Sequence, residues 1–167
     1  MPDEWIRQWG DPTLRELAVP VARVDDLLRR QVERMRRALV AADGAGLAAT
    51  QVGLLRRLFV YRVERDGPVE VLVNPRVVAR SEETELFAEG CLSYLAVTVA
   101  VERPSAVRII GEDVEGRAVT IEAEGFEASL LQHEIDHLDG ILTLDRAEPA
   151  ERRRAIAALL APRAAAA

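Results

Sequence analysis

The sequence predicts an α+β fold, with short antiparallel strands packed around one central buried helix that carries an HExxH motif. Three observations predict it. Apolar residues recur at helical spacing in two places, early in the chain and late. Between them lie runs rich in β-branched and aromatic residues, punctuated by Gly, Pro and charged turns. The later helical stretch is apolar on two sides, so it must be covered on both.

Each element has its own signal. In "VDDLLRRQVERMRRALVAADG", Leu28, Val32, Met35 and Leu39 recur at helical spacing. Asp25 or Asp26 can cap its start, and Gly44 suits the left-handed position after its end. "GAGLAATQVG" then reads as a loop of small residues. "RRLFVYRV" and "VEVLVNP" read as strands, and "YLAVTVAVERP" as another that Pro104 ends. "AVRIIGEDVEGRAVTIEAEG" has the form of a hairpin, with Val119, Ile121 and Ala123 on one face. A second helix covers Phe126 to Leu138, with Gly140 as its stop. On it Phe126, Leu130, His133 and His137 share one face, while Leu131, Ile135 and Leu138, with Leu142 beyond, cover another. The end, "PAERRRAIAALLAPRAAAA", predicts a surface helix over about 148–161 and a frayed tail over 162–167. No repeat or linker divides the chain, so residues 1–167 are expected to form one domain.

Composition narrows the function. With 49% hydrophobic and 30% charged residues, a chain of 167 residues can bury a core without crosslinks. A net charge of −6 argues against general nucleic-acid binding, which needs a basic face. No apolar run approaches the ~20 residues that span a bilayer. The opening "MPDEWIRQWG" has acids and no apolar core of a secretory signal, so the cytoplasm is the expected compartment. A single cysteine, Cys91, excludes an internal disulfide.

The chemistry concentrates in "QHEIDHLDGILT". His133 and His137, four apart on a helix, present two imidazoles on one face, with Glu134 beside them. A hydrolytic site needs a third protein ligand and an open position for water. In one peptidase class that ligand is a histidine six residues on, where this chain has Thr143. Only two histidines exist. The third ligand is therefore Cys91, in "EGCLS", or a downstream carboxylate such as Asp145, Glu148 or Glu151.

"GAGLAATQVG", "EGCLS" and "QHEIDHLDG", in this order, resemble the three signature motifs of the peptide deformylases. The resemblance runs from "DPTLRELAVPV" to "LDR" at Asp145 and Arg146. It implies that Cys91, His133 and His137 hold one divalent metal. It also implies removal of the formyl group from N-terminal formyl-methionine of newly made proteins, releasing formate. Glu134 then serves as general base and acid, and Gln51 and the backbone N–H of Leu92 stabilise the oxyanion. N-formylmethionyl peptides are the implied partners. Such a peptide lies extended along the loop of Gly44 and Gly46, its methionine in a pocket matching Phe87, Phe126, Ser129 and Leu130. Glu89 and Arg103 match an ion pair that steadies the metal loop. The resemblance implies Fe2+, with Ni2+, Co2+ or Zn2+ able to substitute, whereas the Cys/His2 donor set alone also suits zinc. Ribosome docking through the arginine-bearing tail is a further possible partnership.

Four positions depart from the pattern. Thr50 stands where the family usually has proline, which frees φ and predicts a less rigid Gln51 loop. Tyr94 and Leu95 follow "EGCLS" in place of an apolar residue and proline, beside the peptide groove. Ser129 replaces a larger residue and is expected to open the pocket. Two other functions compete: a zinc peptidase with a carboxylate ligand, separable by Cys91→Ala, and a module that binds peptides without cleaving them.

Overall fold

The structure, a computed structural model, describes residues 5–94 and 97–161. Helix α1 (Asp26–Ala41) begins at Asp25, whose carboxylate accepts from the Leu28 N–H at 2.8 Å. Leu28, Val32, Met35 and Leu39 all point into the core, as their spacing predicts. Its end differs from expectation. Asp43, not Gly44, takes the left-handed conformation (φ 51°), and the Gly44 N–H closes the helix on the Leu39 carbonyl. Gly44 is needed for room: a Cβ there would lie 2.8 Å from side-chain carbons of both Leu39 and Leu92.

Strands β1 (Gly46–Ala48), β2 (Leu58–Tyr61), β3 (Glu70–Arg80), β6 (Ala106–Glu112) and β7 (Ala118–Glu124) form one antiparallel sheet in the order β1-β2-β3-β6-β7. The period of two assigns its faces. Leu58, Val60, Val71 and Val73 pack with α1, whereas Phe59, Tyr61, Leu72, Val107 and Ile109 pack with the second long helix, α2 (Gly125–Leu138). The expected hairpin is β6 and β7, paired in register from Ala106↔Glu124 to Glu112↔Ala118. Strands β4 (Thr84–Gly90) and β5 (Thr98–Pro104) make a separate two-stranded sheet. It packs with Leu142, Leu144 and Ala155 of the C-terminal segment, which includes α3 (Thr143–Arg146) and α4 (Pro149–Leu160).

Helix α2 therefore lies between layers, and every residue from Ala128 to Leu138 is buried. Phe126 departs from its predicted burial: it sits in the first turn and is 56% exposed. The stop at Gly140 has the expected left-handed backbone (φ 68°).

Four elements escape the local pattern. Gly46, Leu47 and Ala48 of the predicted loop "GAGLAATQVG" form strand β1, because pairing with β2 overrides its small residues. Strand β3 continues past Pro75 to Arg80 by a break in register between Val73 and Arg76, which removes the need for a Pro75 N–H. Asn74 sits at that break with φ 51° and bonds both backbone groups of Val21. Strand β4 lies largely in solvent, so its charged residues hide its period. Strand β5 begins at Thr98 rather than Tyr94, since Tyr94 closes a turn on the Cys91 carbonyl. The frayed tail expected over 162–167 lies outside the described residues, as does Leu95.

Candidate active site

The helical repeat sets two of the predicted ligands. His133 and His137 lie on successive turns of α2, their ring centroids 4.8 Å apart. Cys91 arrives from the other layer, just after β4. Its Sγ lies 3.2 Å from His137 Nε2, and the candidate ligand atoms of Cys91, His133 and His137 fall within 4.8 Å of one another. Thr143, at the position of the absent third histidine, is buried with its hydroxyl 3.5 Å from His133 Nδ1. Two of the three carboxylates weighed as alternatives have other work. Asp145 pairs with Arg15 and accepts from the Leu142 N–H, and Glu151 pairs with Arg154 and accepts from the Ala100 N–H.

Behind His133 stands a buried chain of charges. His133 Nδ1 is 2.9 Å from Glu89 Oε2, which aims Nε2 at the cluster. Glu89 receives both Nε and Nη2 of Arg103, and Ser129 Oγ donates to it at 3.0 Å. Arg103 Nη1 reaches Asp136 at 2.8 Å, and Asp136 also accepts from Arg146 at 2.6 Å. Burial raises the Glu89 carboxyl, but bonds from His133 and Arg103 overcome it and hold the group at about 2. The expected Glu89–Arg103 pair is thus fully internal, and Ser129 spends its hydroxyl on it.

Glu134 is 2% exposed, and its Oε2 has no hydrogen-bond partner. Burial pushes this carboxyl up to about 7, with the charge of His133 working the other way. A carboxyl poised near neutrality is suited to proton transfer. Gln51 is held at both ends. Its Oε1 accepts from the Ala48 N–H at 2.8 Å, and its Nε2 donates to Ser93 Oγ at 3.1 Å while lying 3.6 Å from Cys91 Sγ. Leu92 N–H donates to no protein group among the described residues.

These groups open on a cavity of about 570 Å³. Gly44, Gly46, Phe87, Phe126, Ser129 and Leu130 all line it, together with Gln51, Cys91, Leu92, His133 and Glu134. Tyr94 lines it too, with its ring buried among Leu14, Val99 and Val101. Thr50 does not loosen the Gln51 turn. It is fully buried, and its hydroxyl donates to the His137 carbonyl at 3.1 Å, fastening that turn to α2.

Sequence reasoning passed over Ser93 and Asp136, although both stand inside the quoted motifs. Asp136 carried a usable signal, since a carboxylate amid a doubly apolar helix must find a cation. Ser93 carried none, because its partner is 42 residues away.

A central helix bearing two histidines and an acid, met by a cysteine sulfur from a second layer beside an apolar cavity, defines a metallohydrolase. Comparison with known proteins narrows the class. The sequence model of the polypeptide deformylase family matches residues 3–153. A peptide deformylase of Thermotoga neapolitana is 46% identical over 147 residues, 88% of either chain. One from Rhizobium meliloti is 44% identical over 81% of this chain and 79% of its own. The crystal structure of a Synechococcus elongatus peptide deformylase in complex with actinonin superposes with a TM-score of 0.87 at 38% identity, covering 92% of this chain and 85% of that one. The chain belongs to the polypeptide deformylase family, whose metal-dependent members remove the N-formyl group from nascent peptides.

Proposed function

We propose that Cys91, His133 and His137 hold one divalent metal in this chain, and that Glu134, Gln51 and the Leu92 N–H carry out deformylation around it. The observation that carries this reading is the convergence of one sulfur and two imidazoles within 4.8 Å, with the unpartnered Glu134 Oε2 buried beside them. A mixed nitrogen and sulfur donor set suits iron, cobalt, nickel or zinc, and excludes magnesium or calcium. A cation bound there would lower the pKa of a bound water, to about 7 where the metal is zinc. Glu134 takes the proton of that water and returns it to the departing amine, a role typically worth ~10²–10⁴ in rate. The Gln51 amide and the Leu92 N–H donate to the formyl oxygen as it gains charge. The formyl-methionyl side chain occupies the apolar end of the cavity, between Phe87, Phe126 and Leu130.

The metal in the cell is Fe2+ on this reading. The Cys91 sulfur would make a bound cation a weaker Lewis acid than three neutral nitrogens would, and Fe2+, less restricted to four ligands than zinc, would supply the missing activation. The enzyme works on nascent chains in the cytoplasm. No helix among the described residues is long and apolar enough to cross a membrane. The exposed arginines of α4 are the surface on which ribosome docking would act.

Formate release from a formyl-methionyl peptide tests the whole scheme. Wild-type protein releases formate, Cys91→Ala loses metal and turnover together, and Glu134→Ala keeps its metal but loses turnover. A Cys91→Ala protein that retained one metal per chain and full activity would defeat the ligand assignment.

A further inference from the structure

Gly46 has a duty apart from the substrate. It sits in β1 opposite Tyr61, and its backbone is not left-handed, so nothing in the chain path requires glycine. The space where its side chain would stand is filled by Glu134. An ideal Cβ on Gly46 would lie 2.6 Å from Glu134 Cδ and 2.9 Å from Cγ, and nearer still to Oε1. Real Cβ atoms do not approach carbons so closely, and the contact involves the stem of the side chain as well as its tip. Glu134 cannot step aside within the protein, because it is 2% exposed on a helix buried along its length. Its one way out is into the cavity that Gly46 and Glu134 both line, which is the space the substrate needs.

We propose that Gly46 is a positioning residue for Glu134: its missing side chain makes the slot that holds the carboxylate beside the metal ligands. This rests on Glu134 being the proton carrier, and it predicts a coupling between residues 46 and 134 that substrate crowding would not produce. Gly46→Ala should lower kcat by about 10²-fold, the scale of a misplaced catalytic group, with KM changed less than about threefold. Shortening the acid should undo the conflict. Glu134→Asp, harmful alone, should cost no further activity in the Gly46→Ala background.

Melting temperatures give an independent reading that survives a poorly folding variant. With Glu134 present, Gly46→Ala should lower Tm by about 3–9 °C, as overpacking does. In the Glu134→Ala background the same change should leave Tm equal or higher, because alanine at an ordinary φ restricts the unfolded chain. Equal Tm losses in the two backgrounds, or a raised KM with kcat intact, would overturn the slot. If instead Glu134→Ala retained full turnover, the proton-carrier reading would fall while the Tm coupling still tested the packing.

Discussion

Arg103 joins both Glu89 and Asp136 behind the candidate metal ligands, so Arg103→Met is a demanding test of that chain. Arg103 is 4% exposed, Glu89 8% and Asp136 6%. Truncating one partner of a buried ion pair typically costs ~3–5 kcal/mol. Neither carboxylate would be wholly orphaned. Asp136 keeps Arg146 at 2.6 Å, and Glu89 keeps His133 and Ser129 at 2.9 and 3.0 Å. The expected loss is therefore near the lower bound, ~3 kcal/mol, or about 9 °C in Tm for a chain of this length. Metal affinity should weaken by about 10–100-fold, since Glu89 would no longer aim His133 firmly. Arg103→Lys should recover part of the stability, because one ammonium cannot reproduce the fork that meets both acids. Denaturant titration of metal-free protein gives the first quantity and competition with a chelator the second. A stability loss below about 1 kcal/mol with unaltered metal affinity would refute the reasoning.

Gln51→Ala should lower kcat by roughly 10²-fold, about 3 kcal/mol, with little effect on KM; a change confined to KM would reassign Gln51 to ground-state binding. Metal uptake should release a proton. Burial disfavours the charged form of His133, but its bonds to Cys91 and Glu89 raise it well above the usual imidazole range in the metal-free protein. Because a ligating imidazole must be neutral, metal affinity should rise with pH through 7, until the raised His133 value is passed. Calorimetric heats that did not vary with the ionisation enthalpy of the buffer would contradict this. The iron assignment predicts activity that decays in air, as iron and the Cys91 thiolate oxidise, and protection by nickel exchange. Iron and zinc forms of equal, lasting activity would sink it.

How much could be read in advance depended on whether a residue's partner was near in sequence. Helix α1 was legible down to a cap at Asp25 or Asp26 because the signals lie within one helical repeat. The burial of α2 was legible because two apolar faces cannot both meet water. The ligand geometry was half legible: the imidazoles come from one helix, but only family resemblance singled out Cys91, 42 residues upstream of His133. Strand β4, exposed and charged, has no apolar period to find. The Thr50 bond to His137 was invisible for another reason. Rotational freedom is a local property of threonine, whereas its use as a fastener depends on a carbonyl 87 residues away.

The three candidate ligands come from two layers of the fold, the sulfur from the end of the β4–β5 ribbon and the imidazoles from α2. The helical repeat fixes the backbone spacing of His133 and His137, one turn apart. The sulfur's distance instead depends on how the β4–β5 ribbon is seated against α2. That seating is fastened by the Glu89–Arg103–Asp136 chain, so the place of the sulfur and the aim of His133 rest on the same buried charges. A cobalt-loaded Arg103→Met protein should therefore show a shifted sulfur-to-metal charge-transfer band even with no peptide present.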